Sequence, residues 1–288
     1  MESWEILSKI NEIMDFFVKN KECAQKLINT IENIDEIRDI YGNSLLHYAA
    51  REENTELINL LIEKGADPLL QNERGETPLH WAVANAEVVS LLVKYDVDVK
   101  DRDGRTPLHW AVKFGNRDAV EILLRHGASV DATDKYGFTP LKLALFEGSP
   151  KHIQIAKLLI EHGADVKSAF HMAVYTGSAD LVKLFLEKGA DIDAQDNNGD
   201  TALHIATRRG YLDVVKVLLE HGANANLRNK FGETPLDIAA LLCKEGRLCA
   251  EVFEILFRHS SNETRERAKN FLLHDEQRKV LRLYGITI

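Results

Sequence analysis

Cysteine is scarce in this 288-residue chain: Cys23, Cys243 and Cys249 are an odd number and show no metal-ligand spacing. They read as reduced thiols, which excludes a disulfide framework and points to a cytoplasmic setting. Positive charge is in deficit, with 36 Lys and Arg against 45 Asp and Glu, a net −9. Phosphate binding relies on clustered cations, so nucleic acid is not an expected partner. No apolar run approaches the ~18 residues of a membrane span, and Met1 to Glu5 lack the basic stretch and apolar core of a signal peptide. Six prolines are few for a chain rich in long loops. Nucleophile elbows, H-E-x-x-H, glycine-rich phosphate loops and Cys–His pairs are all missing. What remains, 45% hydrophobic and 28% charged, is ordinary for a folded protein.

What is present is repetition. Gly75 to Ala82 (GETPLHWA), Gly104 to Ala111 (GRTPLHWA) and Gly199 to Ala206 (GDTALHIA) nearly superimpose, and weaker copies begin at Gly42, Gly137 and Gly232. Between them recurs a second signature, as in Leu158 to Asp165 (LLIEHGAD) and Val217 to Asn224 (VLLEHGAN). Gly42 to Gly75, Gly104 to Gly137 and Gly199 to Gly232 are each 33 residues apart.

Each signature has a local cause. Thr106 before Pro107 is a helix cap followed by proline at the first helical position, where a missing N–H is harmless. Leu108, Ala111 and Val112 give that short helix one apolar face, and Gly115 ends it. Val120, Leu123 and Leu124 begin the stripe of a second helix, for which Gly127 supplies a left-handed cap. Asp131 to Tyr136 is a polar turn. Such a unit cannot bury its apolar face alone, so neighbours must stack.

The sequence resembles the ankyrin-repeat family, whose Thr-Pro-Leu-His-x-Ala pattern stands unaltered at residues 77–82 and 106–111. The resemblance implies a mainly α solenoid of helix-turn-helix units with short β-hairpin fingers. Residues 34–260 hold about seven units, irregular at 72–103 and 134–194. Residues 1–33 read as a degenerate capping helix pair, and 261–288 as C-terminal capping helices.

The irregularities are specific. Gly75 to Gly104 is only 29 residues, the deficit falling at Asn85-Ala86 and in the following finger. Gly148 to His152 lengthens a helix–helix turn by three residues. In the next unit Ser168 stands where threonine would cap, and the finger has lost about seven residues. Without that finger, the joint between the fourth and fifth units is expected to be the weakest of the stack.

The chemistry-bearing side chains are absorbed by the period. His47, His80, His109, His171 and His204 share one position near a helix start and are expected to bond within or between repeats. His126, His162, His221 and His259 share another, where a partly positive ring suits the helix dipole. One histidine per repeat spaces the rings too widely for one metal ion, so no metal site, cofactor or catalytic residue is expected. Asp39, Asp103, Asp134 and Asp196 recur as turn formers. Tyr48, Trp81 and Trp110 occupy one position that admits binding anchors or an aromatic row buried between repeats. Apolar Met172, Ile205 and Ile238 at that position favour burial.

The resemblance also implies that a partner is bound on the concave side, by finger tips and inner-helix ends. Carried over by position, the tips include Ile40, Tyr41, Arg74, Arg102, Arg105, Tyr136, Phe138 and Phe231. The helix ends include Arg51, Lys113, Phe114, Phe146, Tyr175, Arg208 and Arg209. Aromatics and arginine are the types enriched at binding hot spots. From these, Arg105, Lys113, Phe114, Tyr136, Phe138, Phe146, Tyr175, Arg208, Arg209 and Phe231 are the candidate site. The alternative is that some rings only fill the gap left by the missing finger. The expected function is that of a monomeric protein-binding module. A second reading makes it an adaptor that presents a captured protein through residues 260–288.

Overall fold

The computed structural model describes residues 10, 12–14, 21–244 and 250–271. Two compact units divide between Ala164 and Asp165, where the sequence loses its finger. Trp4 and Phe17 of the proposed first cap, and Leu272, Val280, Leu281 and Leu283 of the last, lie outside the described residues.

In the N-terminal unit, α1 (Lys21–Asn29) precedes four helix pairs. The inner members are α2 (Leu45–Arg51), α4 (Pro78–Ala82), α6 (Pro107–Phe114) and α8 (Pro140–Glu147). The outer members are α3 (Thr55–Glu63), α5 (Ala86–Leu92), α7 (Arg117–Arg125) and α9 (Pro150–Glu161). Inner packs on inner and outer on outer. The seam is made of fully buried aliphatics such as Leu45, Leu57, Leu61, Leu108, Leu123 and Leu141. Outer helices start on asparagine: Asn54, Asn85 and Asn116 accept from Leu57 N, Val88 N and Ala119 N.

The insertion at Gly148–His152 does not lengthen the turn. Gly148 ends α8 in the left-handed region, and Ser149-Pro150 starts α9 at once, giving it 12 residues against nine in α3 and α7. Lys151 Nζ then donates to Phe114 O at 2.9 Å, anchoring the added turn to the preceding repeat.

The C-terminal unit opens with a 3-10 turn at Lys167–Ala169 in place of a finger. The pairs α10 (Phe170–Tyr175) with α11 (Ala179–Glu187), α12 (Ala202–Arg209) with α13 (Leu212–Glu220), and α14 (Pro235–Lys244) with α15 (Ala250–His259) follow. Ser168 does not cap α10: its N-cap is Ala169, which offers no side-chain acceptor. Helix α16 (Asn262–Phe271) packs on α14 as a further inner helix would. Arg267 from α16 pairs with Asp237 of α14.

The fingers are tight turns closed by backbone bonds, and no β-strand is assigned among the described residues. Asp101 N donates to Arg105 O, and Asp134 N to Phe138 O, at 2.9 and 3.0 Å. The turn-forming carboxylate is Asp101 rather than Asp103: Asp101 Oδ1 accepts from Asp103 N and Arg105 N. Asp103 instead pairs with Lys135 and Arg105. Neighbouring fingers are joined by Arg102 N to Arg74 O and Lys135 N to Asp103 O, both 2.8 Å. That approach explains the glycine: at Gly75, with φ +74°, a Cβ would stand 2.9 Å from Arg102 N.

The inner histidines lace consecutive repeats together. His109 Nε2 lies 3.1 Å from Phe138 O, and a carbonyl can only accept, so Nε2 carries the proton. Nδ1 then accepts from Thr106 N at 3.2 Å and meets Thr106 Oγ1 at 3.0 Å. His47, His80 and His204 repeat this, reaching Glu76 O, Arg105 O and Glu233 O. Burial pushes all four below the ordinary histidine value, His47 to about 4. The outer histidines use the opposite nitrogen, Nδ1–H of His126 and His221 donating to the last-turn carbonyls of Ile122 and Val217. Each ring adds a second donor to a carbonyl that already accepts the backbone N–H of the same histidine.

Candidate protein-binding surface

In the N-terminal unit, Phe114, Tyr136 and Phe146 are 55, 62 and 69% exposed. Rings packed into a gap would be buried, so the gap-filling reading does not describe them. Phe138 is half-buried and meets Phe146 edge-on at 5.8 Å, while Phe114 leans on Trp110 at 6.1 Å. Arg105 bridges Asp103 and Asp134 at 3.4 and 3.7 Å, and its guanidinium carbon lies 5.9 Å from the Tyr136 ring. Lys113 is exposed beside Phe114.

Tyr48, Trp81 and Trp110 do not form a buried row. Each is half-buried and turns its polar atom to a carboxylate of its own finger. Tyr48 OH donates to Asp39 Oδ2 at 2.6 Å, Trp81 Nε1–H to Glu76 Oε2 at 2.8 Å, and Trp110 Nε1–H to Asp101 Oδ2 at 3.0 Å. A partly wet ring with a donor at its edge finds a partner this way. Burial favours protonation of Asp39, yet the Tyr48 hydroxyl and the Asn43 amide and N–H outweigh it and hold the carboxyl below its usual range. Burial, then Asp39, pushes the Tyr48 hydroxyl up to about 12.

Between the first two fingers Tyr48 and Trp81 line a cavity of about 730 Å³, with Ile40, Tyr41, Arg51 and Arg74 around it. Arg51 lies over Tyr48 and Trp81, at 4.8 and 5.7 Å from the ring centroids. Periodicity gives Tyr48 and Trp81 a shared position, and the apolar residues at that position favour a burial that the structure does not show. The legible signal was the acidic residue at each finger base, which an indole or phenol can reach.

In the C-terminal unit, Tyr175 and Phe231 are 46 and 73% exposed, and Arg209 covers Tyr175 with its guanidinium carbon 5.2 Å from the ring centroid. Arg208 is engaged internally, 2.5 Å from Asp200 Oδ2 and 3.9 Å from Glu233. Burial favours protonated Asp200, but Arg208 and the Asn229 amide outweigh it and hold the carboxyl low.

Among the described residues no three His, Cys, Asp or Glu side chains gather as a metal site would need, and no helix is long and apolar enough to cross a membrane. The family described as ankyrin repeats (3 copies) matches residues 13–103, 56–134, 84–169 and 170–267. The chain belongs to the ankyrin-repeat family. Its relatives include the transient receptor potential cation channel subfamily A member 1 of Homo sapiens. That protein is 31% identical over 205 residues, 62% of this chain and 18% of the channel. The B-cell lymphoma 3 protein homolog of Mus musculus is 31% identical over 182 residues, 57% of this chain and 40% of the relative. The chain thus spans less than half the length of either. The solved ankyrin repeat domain of Bcl-3, described as a unique member of the IkappaB protein family, superimposes with a TM-score of 0.63 at 30% identity. The match covers 75% of this chain and 98% of that one. Ankyrin repeats generally mediate protein–protein interaction and are typically non-catalytic.

Proposed function

We propose that this ankyrin array is a monomeric protein-recognition module that captures its partner on the finger and inner-helix face, without catalysis of its own. The observation that carries the reading is the exposure of large rings where the scaffold tolerates polar residues: Phe114, Tyr136 and Phe146 in one unit, Tyr175 and Phe231 in the other. Arg105, Lys113, Phe138 and Arg209 flank them, and Arg208 serves the scaffold first. The pairing of Arg267 with Asp237 supports a capping role for α16 over the adaptor reading. The test is affinity capture with the Phe114→Ala, Phe146→Ala, Tyr175→Ala triple variant, with circular dichroism as the fold control. Partner recovery should fall about tenfold or more while the helical signal stays unchanged, because truncating two or three anchors removes several kcal/mol. Undiminished recovery by the folded variant would remove this surface from consideration.

A further inference from the structure

The cavity lined by Tyr48 and Trp81 has a neighbour of about 340 Å³ lined by Trp110, Arg102 and Lys113, and Arg74 and Glu76 line both. Their chemistry differs. In the first, the polar groups other than the shared Arg74 already have partners: Asp39 and Glu76 hold the Tyr48 hydroxyl and the Trp81 indole, and Arg51 pairs with Glu52. What it still offers is ring and aliphatic surface, including exposed Ile40 and Tyr41.

In the second, the acids are spoken for. Asp101 accepts from Trp110 and two backbone N–H groups, and Asp103 pairs with Arg105 and Lys135. Exposed Arg74, Arg102 and Lys113 form no ion pair among the described residues, Lys113 acting on Asp103 only at longer range. A face with surplus positive charge on a chain of net −9 is complementary to an acidic ligand group.

We propose that the adjoining cavities read a short linear element of a protein partner: one large apolar side chain in the first and one acidic side chain in the second. This rests on the partner-binding reading above. The spacing follows from the repeat. Equivalent points on neighbouring repeats lie about a helix diameter apart, ~10 Å. A β-strand returns to the same face every second residue, ~6.6 Å. A polyproline-II chain returns every third, ~9.3 Å. The second period fits, so the element is apolar-x-x-acidic, or its reverse, bound in polyproline-II form. That conformation also costs little to fix.

The probes are fluorophore-labelled Pro-Pro-Phe-Pro-Pro-Glu-Pro-Pro and its reversed sequence, titrated with the whole chain and read by fluorescence polarisation. At least one should bind saturably. Its affinity should drop about tenfold or more when Glu becomes Lys, when Glu is moved one residue closer to Phe, or in the Arg74→Glu protein. Lys113→Glu replaces that variant if circular dichroism shows it unfolded. Equal affinity for the Lys peptide, indifference to spacing, or no saturable binding by either probe overturns the proposal. So does equally tight binding of an oligothymidine, since the cations would then read charge alone. If the peptides fail while the triple alanine variant still loses its partner, only the two-cavity element falls. If neither experiment shows an effect, the recognition reading falls with it.

Discussion

Glu76 in the N-terminal unit and Asp200 in the C-terminal unit stand at the same repeat position, one residue after the finger glycine, yet they are satisfied differently. Glu76 accepts from the Trp81 indole and the Asn72 amide, both neutral donors. Asp200 accepts from the Arg208 guanidinium and the Asn229 amide. Two positions differ: Trp81 carries a donor where Ile205 carries none, and Arg208, which reaches back from the last turn, stands where the other repeat has Ala84. Where an aromatic ring caps the carboxylate, Arg74 and Arg102 form no ion pair among the described residues and stay free for a ligand. Where an arginine does so, it is consumed by the scaffold.

The comparison can be broken most strongly by acid. His47, His80 and His109, all lowered by burial, lie in the N-terminal unit, while among the described residues of the other unit His204 is the histidine lowered in this way. A ring whose folded value is depressed binds fewer protons folded than unfolded. Its contribution is present above about pH 6.5 and is lost as pH falls towards the folded value. His47 alone, lowered to about 4, accounts for on the order of 3 kcal/mol. Trp81 and Trp110, the tryptophans among the described residues, lie in the N-terminal unit. Between pH 7.5 and 5 the fluorescence-detected denaturation midpoint should therefore fall more than the far-ultraviolet dichroism midpoint. Equal shifts would mean that both units carry the same protonation load.

A smaller effect is expected from Arg208→Ala, which strips the only cation from a carboxylate whose side chain is 3% exposed. Because Arg208 is itself partly solvated, the cost should be about 1–2 kcal/mol. It should appear in the dichroism transition and leave the tryptophan transition in place. Trp81→Phe should cost least, about 1 kcal/mol, since Glu76 keeps the Asn72 amide. A cost above that of Arg208→Ala would show that the indole, not the guanidinium, is the stronger device.

The period, the finger positions and the laced histidines were legible because Asp-x-x-Gly turns and Thr-Pro-Leu-His helix starts are local chemistry. The added turn of α9 corrects the loop reading that the spacing invites: Ser149 is its N-cap and Pro150 its first helical residue. Depth was not legible. Ile205 and Ile238 fill the seam, but an indole at the same position is larger and needs a partner for its N–H, so it turns outward to the finger. The exposed rings could be picked out because they sit where polar residues are tolerated. The engagement of Arg208 could not, because its partner lies eight residues away and only folding brings the two together.

The imidazole protons of the inner histidines have a practical consequence. His47, His80, His109, His171 and His204 each hold an Nε2–H against a carbonyl of the following repeat, at 2.9 to 3.1 Å. A proton confined this way is shielded from exchange with water and resonates apart from the crowded amide region of a nuclear magnetic resonance spectrum. Each such signal reports one seam, and it survives only while the two repeats it joins remain in register. The fourth repeat carries Lys142 and the seventh Asp237 where the others carry this histidine. The array therefore contains its own gauge of which seams open first under heat, acid or ligand, with blank marks at the fourth and seventh repeats.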